Sequence, residues 1–281
     1  MDDETVVGLL HPGEMGASIG GALVERSVEV LWASEGRSRK TADRADAAGL
    51  DDVGSLAALV ARSTVALCIC PPSAAVDVAL SVAAVGFGGL YLDANAVSPG
   101  TAGVIQEVVE RGGARFVDGD LIGGPARAGS GTRLYLSGPD AAEVAGLFQG
   151  SDRVAAVALE GGAAAASALK MCYAAWTKGT QALLLAIRTV ARAEGVEAAL
   201  LAEWSRTQPD LPGRCDFAVA SVPKAWRFAG EMDEIADMFN SGGLPGGFAT
   251  AASDVFTRLA GFKGATPTLD EVLQSMLAAD D

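Results

Sequence analysis

The sequence predicts an α/β protein: a doubly wound parallel sheet in residues 1–161, followed by an all-α region in residues 162–281. Three observations predict it. Short apolar, β-branched runs alternate with helical patterns up to residue 159. The first such run ends in a glycine-rich turn that opens a helix. The composition then changes: residues 162–194 are dominated by Ala and Leu with Gly179 as the one interior breaker, and no strand-like run follows.

Taken in order, residues 6–10 read as the first strand, which stops at His11-Pro12-Gly13; Gly16, Gly20 and Gly21 fall in a helix over about 14–26. A tight turn of this kind lets a backbone approach a phosphate, and the unpaired N–H groups of the helix start attract its charge. The spacing is one glycine short of G-x-G-x-x-G, because His11 occupies the first position. His11, Pro12, Gly13, Glu14, Met15 and Gly16 are therefore candidate contacts for a dinucleotide pyrophosphate. The alternative is a plain strand–turn–helix whose glycines serve packing.

Residues 28–33 read as the second strand, followed by Ser34-Glu35-Gly36-Arg37-Ser38-Arg39-Lys40 and a helix ending near Gly49. In a dinucleotide fold this strand end meets the adenosine ribose. An acidic residue there favours NAD, whereas arginine with small hydroxyls favours the 2′-phosphate of NADP. Ser34, Arg37 and Ser38 point to NADP, and Glu35 is the residue that argues for NAD. A solvated basic helix start is the plainer alternative.

Val53 reads as a further strand, residues 55–62 as a short helix and 64–70 as a strand closed by Pro71-Pro72-Ser73. Two prolines cannot continue a central strand, so the chain leaves the sheet there. Ligands sit at such carboxyl ends, which makes Cys70, Pro71 and Pro72 candidates. Residues 74–85 are helical. A strand over 89–95 brings Asp93 and Asn95 to the same edge, and Ser98-Pro99-Gly100-Thr101 starts a helix running over 101–111. The strand at 114–118 opens into Gly119-Asp120-Leu121-Ile122-Gly123-Gly124-Pro125, and further strands follow at 134–137 and 154–159. An unbroken helix of some thirty residues after Gly162 would span about 45 Å, which suits an element bridging two domains.

The bulk numbers narrow the function. The net charge of −14 disfavours nonspecific binding to nucleic acid or to an anionic membrane. No apolar run reaches membrane-spanning length, and the acidic start at residues 1–4 is unlike a secretory signal. Cys68, Cys70, Cys172 and Cys215 have neither zinc-site nor C-x-x-C spacing, so no metal is expected; Cys68 and Cys70 alternate with Leu67 and Ile69 and read as buried strand thiols, which fits a reducing cytoplasm. His11 is the single histidine, which excludes any mechanism needing one elsewhere.

In this order the motifs resemble those of the β-hydroxyacid dehydrogenase family, which includes phosphogluconate dehydrogenase and the related imine reductases. The family's G-x-G-x-M-G is similar to residues 11–16, and its L-P-x-S to Cys70-Pro71-Pro72-Ser73. Its D-x-S-x-x-S-P looks like residues 93–99, and its substrate-binding D-A-P-V-S-G-G like residues 118–124. Its catalytic K-x-x-x-N looks like Lys170-Met171-Cys172-Tyr173-Ala174. The resemblance runs from residue 6 to about residue 259. It implies an N-terminal Rossmann domain, a long interdomain helix and a helical C-terminal domain. It also implies a homodimer in which one subunit's C-terminal helices help close its partner's site, NAD or NADP as cofactor, and Lys170 as proton donor or acceptor.

The departures shape the substrate expectation. Ile122 stands where the family has a serine that holds a carboxylate, and Ala174 where it has an asparagine. Both changes remove a polar partner, and a carboxylate buried without one costs several kcal/mol. A small 3-hydroxy acid held in the usual way is therefore not expected. Ile122, Gly123, Gly124 and Ala174 remain the family's substrate positions, and Asn95 is placed beside the nicotinamide or substrate. Tyr173, where one branch has histidine, could donate a proton. Lys178, roughly two turns beyond Lys170, could lower the latter's pKa, bind an anion or be solvated, the last being the plainest. Met232 and Ile235 could form an apolar substrate wall, with a core role as the alternative.

Three functions follow. The first is an NADP-preferring oxidoreductase on an alcohol/carbonyl pair with Lys170 as acid/base and NAD as the other cofactor option. The second is an NADPH-dependent imine reductase, kept open by Tyr173 and opposed by the retained Lys170. The third is an inactive NADP-binding protein, motivated by the missing glycine at His11 and the missing asparagine at Ala174.

Overall fold

The structure is a computed structural model that describes residues 5–278; the acidic start noted above, residues 1–4, lies outside the described residues. By backbone packing the chain falls into two compact units, one up to Lys170 and one from Met171.

The first unit alternates strand and helix: β1 (Val6–Leu9), α1 (Glu14–Val24), β2 (Glu29–Trp32), α2 (Arg39–Ala47), β3 (Asp51–Asp52), α3 (Leu56–Arg62), β4 (Val65–Cys68), α4 (Ala75–Ala84), β5 (Leu90–Asp93), α5 (Pro99–Arg111), β6 (Arg115–Ile122), β7 (Thr132–Ser137), α6 (Ala141–Leu147), β8 (Val154–Ala158) and the start of α7 (Ala165–Ala193). The strands form one eight-stranded sheet in the order β3-β2-β1-β4-β5-β6-β7-β8. Every neighbouring pair is parallel except β6–β7, which is antiparallel. The chain winds outward in opposite directions from β1 and from β4. That switch leaves a crevice at the carboxyl ends of these two strands, the usual ligand position in such sheets.

The central strands β4, β5 and β6 are buried on both faces, as strands of a parallel sheet covered by helices are. Val65 and Leu67 of β4 point into one core with Leu9, Ile19 and Leu92, whereas Ala66 and Cys68 point into the other with Leu59, Tyr91 and Ile105. This alternation is the two-residue period of a strand, and each fully buried leucine contributes about 1.5–3 kcal/mol. The helices begin where the sequence supplies caps. Ser38, Ser55 and Ser98 cap α2, α3 and α5 through side-chain oxygens, and Pro99 at the first position of α5 needs no N–H partner.

Three readings are corrected. Val53 is not a strand: β3 is Asp51–Asp52, and Val53 follows it with its N–H on Trp32 O at 2.9 Å. β6 does not end at Asp118 but continues to Ile122, because the antiparallel β7 pairs with its second half from Asp118 to Ile122. The helix α6, Ala141–Leu147, had no counterpart in the sequence reading.

The second unit contains the rest of α7, then α8 (Glu197–Thr207), α9 (Leu211–Ser221), α10 (Ala225–Ser241), α11 (Gly247–Arg258) and α12 (Leu269–Leu277). No strand occurs among its described residues. Phe228 of α10 meets Phe256 of α11 edge to face, with ring centroids 5.4 Å apart. Glu197 receives both Arg188 and Arg192, and Arg192 also reaches Asp270 at 2.7 Å. α12 opens with a reciprocal capping box between Thr268 and Glu271.

Candidate active site

The turn after β1 is built to face an anion. Gly13 caps α1 with extended backbone and no side-chain bond, so the first N–H groups of the helix lack a side-chain partner at the cap. A Cβ placed on Gly13 would meet nothing within 4 Å, so the approach to the helix start is open. Gly16 is the opposite case. A Cβ there would lie 2.2 Å from the His11 carbonyl oxygen, and no side chain fits between helix and turn.

His11 is half-buried with Nδ1 enclosed and without a partner. Burial, and secondarily the Arg37 guanidinium, lower its pKa to about 4, so the imidazole is neutral at pH 7. Arg37 donates to Leu10 O at 3.3 Å and Arg44 to Pro12 O at 3.4 Å, so two guanidinium groups hold the turn's carbonyls. A cavity of about 190 Å³ adjoins the turn, lined by His11, Ala33, Glu35, Arg37, Leu56 and Val82 among others. The open helix start, the two guanidinium groups and this cavity of mixed polar and apolar lining fit a dinucleotide.

Of the residues read as contacts for a 2′-phosphate, Arg37 and Ser38 are exposed and Ser34 is half-exposed. Ser38 already accepts the Thr41 N–H at 3.3 Å as the cap of α2, and the Ser34 N–H is on Asp52 Oδ1 at 3.1 Å. Glu35 is exposed beside Gly36, whose φ of +70° makes the bend.

The next strand ends are tied to each other. Asn95, 1% exposed, accepts the Cys70 N–H at 2.5 Å through Oδ1 and donates through Nδ2 to Asp93 Oδ1 at 2.6 Å and to Cys68 Sγ at 3.3 Å. Its amide thus holds the β4 exit against the β5 exit. These hydrogen bonds give Asn95 a structural role in the turn after β5. Pro71 is exposed, and Pro72 begins a short 3-10 turn before α4. Burial pushes the Asp93 carboxyl well above the usual carboxylate range.

The third part joins β6 to the start of α7. Asp118 and Asp120 lie two residues apart, hence on one face of β6. Asp118 accepts Ser137 Oγ at 2.8 Å, the Ser167 N–H at 2.9 Å and Ser167 Oγ at 2.6 Å. Asp120 Oδ1 accepts Lys170 Nζ at 2.7 Å and the Leu121 N–H at 2.6 Å, while its Oδ2 is enclosed without a partner. Burial raises the Asp120 carboxyl to about 6, against the opposing pull of Lys170. Lys170 also donates to Leu121 O at 2.6 Å, and its side chain is 14% exposed. An ammonium has three donors, so two are held by β6 and one direction is left.

Ile122 is buried at the end of β6. Gly123 follows with φ of +130°, where a Cβ would press on Thr132, and the Gly124 carbonyl accepts Thr132 Oγ1 at 2.8 Å. Ser18 of α1 accepts the Ala126 N–H at 2.8 Å and donates to Met15 O at 2.8 Å, which ties the loop after β6 to the phosphate turn.

The remaining candidates belong to the second unit. Tyr173 is 48% exposed and Ala174 is buried. Met232 and Ile235 are 1% and 0% exposed, so they stand in the core of α10 and present no surface as a substrate wall. Lys178 is not solvated: it is 13% exposed, ion-paired with buried Glu231 and 4.6 Å above the Phe228 ring. It therefore answers to Glu231, and the charged group at Lys170 is a carboxylate.

Asp120, Ser167, Ser18 and Arg44 were not singled out by sequence reasoning. The two-residue step from Asp118 to Asp120 and the three-residue step from Ser167 to Lys170 were the available signals, but nothing in a linear sequence joins positions about fifty apart.

Comparison with known proteins agrees with this fold. The family model for the NAD binding domain of 6-phosphogluconate dehydrogenase matches residues 5–157, and a domain of unknown function, DUF1932, matches residues 191–259. Among solved structures, the conserved protein MTH1747, described as of unknown function with structural similarity to 3-hydroxyacid dehydrogenases, is 25% identical. It superposes with a TM-score of 0.66 over 94% of this chain and 100% of its own. The 3-hydroxyisobutyrate dehydrogenase of Mycobacterium tuberculosis, solved with L-serine, is 17% identical with a TM-score of 0.70 over 98% of this chain and 100% of its own. A reductive aminase from Aspergillus terreus, solved with a form of NADPH, cyclohexanone and allyl amine, is 15% identical with a TM-score of 0.57 over 97% and 99%. The last two likenesses are likenesses of fold.

Proposed function

The chain belongs to the family of the NAD binding domain of 6-phosphogluconate dehydrogenase, and on that premise we propose that it is an oxidoreductase exchanging hydride between NADP(H) and an alcohol/carbonyl pair, with Lys170 as acid/base. The observation that carries this reading is the Lys170 ammonium, held at 2.7 Å by Asp120 and at 2.6 Å by Leu121 O with one donor direction left over. The bound cofactor supplies or takes up the hydride. The turn at residues 11–16 would hold the pyrophosphate, and Arg37, beside the exposed Ser38, would favour the 2′-phosphate that distinguishes NADP from NAD. In reduction, Lys170 gives its remaining proton to the oxygen as the carbonyl carbon gains hydride; in oxidation it takes that proton back. General acid–base catalysis of this kind contributes about 10²–10⁴ in rate.

The test is Lys170→Ala. Turnover with NADPH falls by about that factor while NADPH binding, followed by cofactor fluorescence, is retained. Unchanged turnover removes Lys170 from the chemistry. NADPH and NADH titrations of Arg37→Ala test the cofactor choice: the variant weakens NADPH by a larger factor than NADH.

Imine reduction is the second reading, supported by the likeness of fold to the reductive aminase and by the half-exposed Tyr173 phenol. A panel of cyclic imines beside ketones and aldehydes separates the two by which class oxidises NADPH. We further propose a homodimer. Tyr173, Trp176, Leu183 and Val190 are 48%, 64%, 58% and 60% exposed along α7, an apolar stripe suited to a second copy. Four free thiols suit a reducing cytoplasm.

A further inference from the structure

We infer that the Asp120–Lys170 pair selects an uncharged carbonyl or alcohol substrate and rejects one that carries a carboxylate beside the reacting carbon; this rests on the acid/base reading of Lys170. Three observations on β6 and α7 support it. Lys170 is the cation at this place, and its charge is already matched by Asp120 at 2.7 Å. Asp118 stands two residues along the same strand face, so the immediate surroundings are neutral or negative and never net positive. A substrate carboxylate would add a second negative charge to a poorly solvated place.

The donors tell the same story. Of the three Lys170 N–H groups, one is on Asp120 and one on Leu121 O. The third serves one oxygen, the one that reacts. A carboxylate next to it would need donors of its own, and Ile122, the next residue on that strand face, is apolar and buried. The Asp120 Oδ2 atom, enclosed without a partner, adds an acceptor where a carboxylate would need a donor. A neutral ester or ketone makes none of these demands.

The probes are a β-hydroxy acid and its methyl ester, which differ in that one charge. Their binding to the full-length protein is measured by titration calorimetry, with and without NADP+, so the result does not depend on turnover. In the wild type the ester binds at least tenfold more tightly than the acid. Asp120→Asn keeps an acceptor for Lys170 and removes the carboxylate charge; it narrows the gap at least tenfold by tightening the acid. Equal or tighter binding of the acid in the wild type overturns the inference, and so does an unchanged ratio in Asp120→Asn. Binding of neither probe overturns it as well. If Asp120→Asn does not fold, as judged by near-UV circular dichroism, the wild-type comparison decides alone. Failure of the acid/base reading is distinct: Lys170→Ala would then turn over normally whatever the calorimetry shows.

Discussion

Two lysines stand eight residues apart on α7, each with a buried acid as partner, and they do different work. Lys170 reaches β6 of the first unit, where Asp120 and the Leu121 carbonyl take two of its protons. Lys178 stays within the second unit, paired with Glu231 and capped by the Phe228 ring. In sequence both are lysines in an alanine-rich helix. In the structure the first lies at the carboxyl edge of a sheet whose strand order reverses nearby, and the second lies among the side chains of α10. On the acid/base reading proposed for Lys170, a buried ion pair is no functional signal by itself, since Lys178 has one as well.

The sharpest way to break this comparison is kinetic. Lys170→Met should lower kcat/KM by about 10²–10⁴, whereas Lys178→Met should leave it within about twofold per folded molecule. Comparable losses in both variants would erase the distinction. Stability should order them the other way. Removing Lys178 leaves Glu231 buried and unmatched, at a cost of about 3–5 kcal/mol in urea unfolding. Removing Lys170 costs less, because Asp120, already raised to about 6, takes up a proton instead.

The pH dependence separates the two acids further. Asp120 holds its proton to higher pH in the folded chain than in the unfolded one, so its contribution to stability is largest below about pH 4 and declines as pH rises toward about 6. The decline amounts to about 3 kcal/mol at most, and Asp120→Asn should flatten that part of the curve. A curve that keeps its slope in the variant would assign it to other groups, such as Asp93 or Asp118, whose carboxyls burial also raises. The smallest effect is expected at Ser167→Ala. It removes one hydroxyl from Asp118 while the Ser167 N–H bond remains, at about 1–2 kcal/mol, with no counterpart near Lys178.

Much of the fold was legible because its signals are local. Apolar runs, prolines after β4, serine caps and the glycine turn each act within a few residues, and the strand–helix alternation followed from them. The second half of β6 was not legible. Gly119 and Asp120 are poor strand formers, and what makes them a strand is β7, reached through a loop and paired backward. The same strand hid the partner of Lys170. The lysine itself was recognisable by its motif, but Asp120 became a partner only once β6 extended to it. Lys178, Met232 and Ile235 were misjudged in the opposite sense. Charge suggested solvent and apolar character suggested a pocket wall, and burial against α10 overrode both.

The two stitches between α7 and β6 have a mechanical meaning. Ser167 is tied to Asp118 and Lys170 to Asp120, three residues apart on the helix and two apart on the strand. A rod fastened to a wall at one point can still roll about its axis; fastened at two, it cannot. The first turns of α7 therefore have no rotational freedom against β6, and the direction of the Lys170 amine is set when the chain folds. On the acid/base reading proposed for Lys170, a substrate arriving there would meet a proton already aimed.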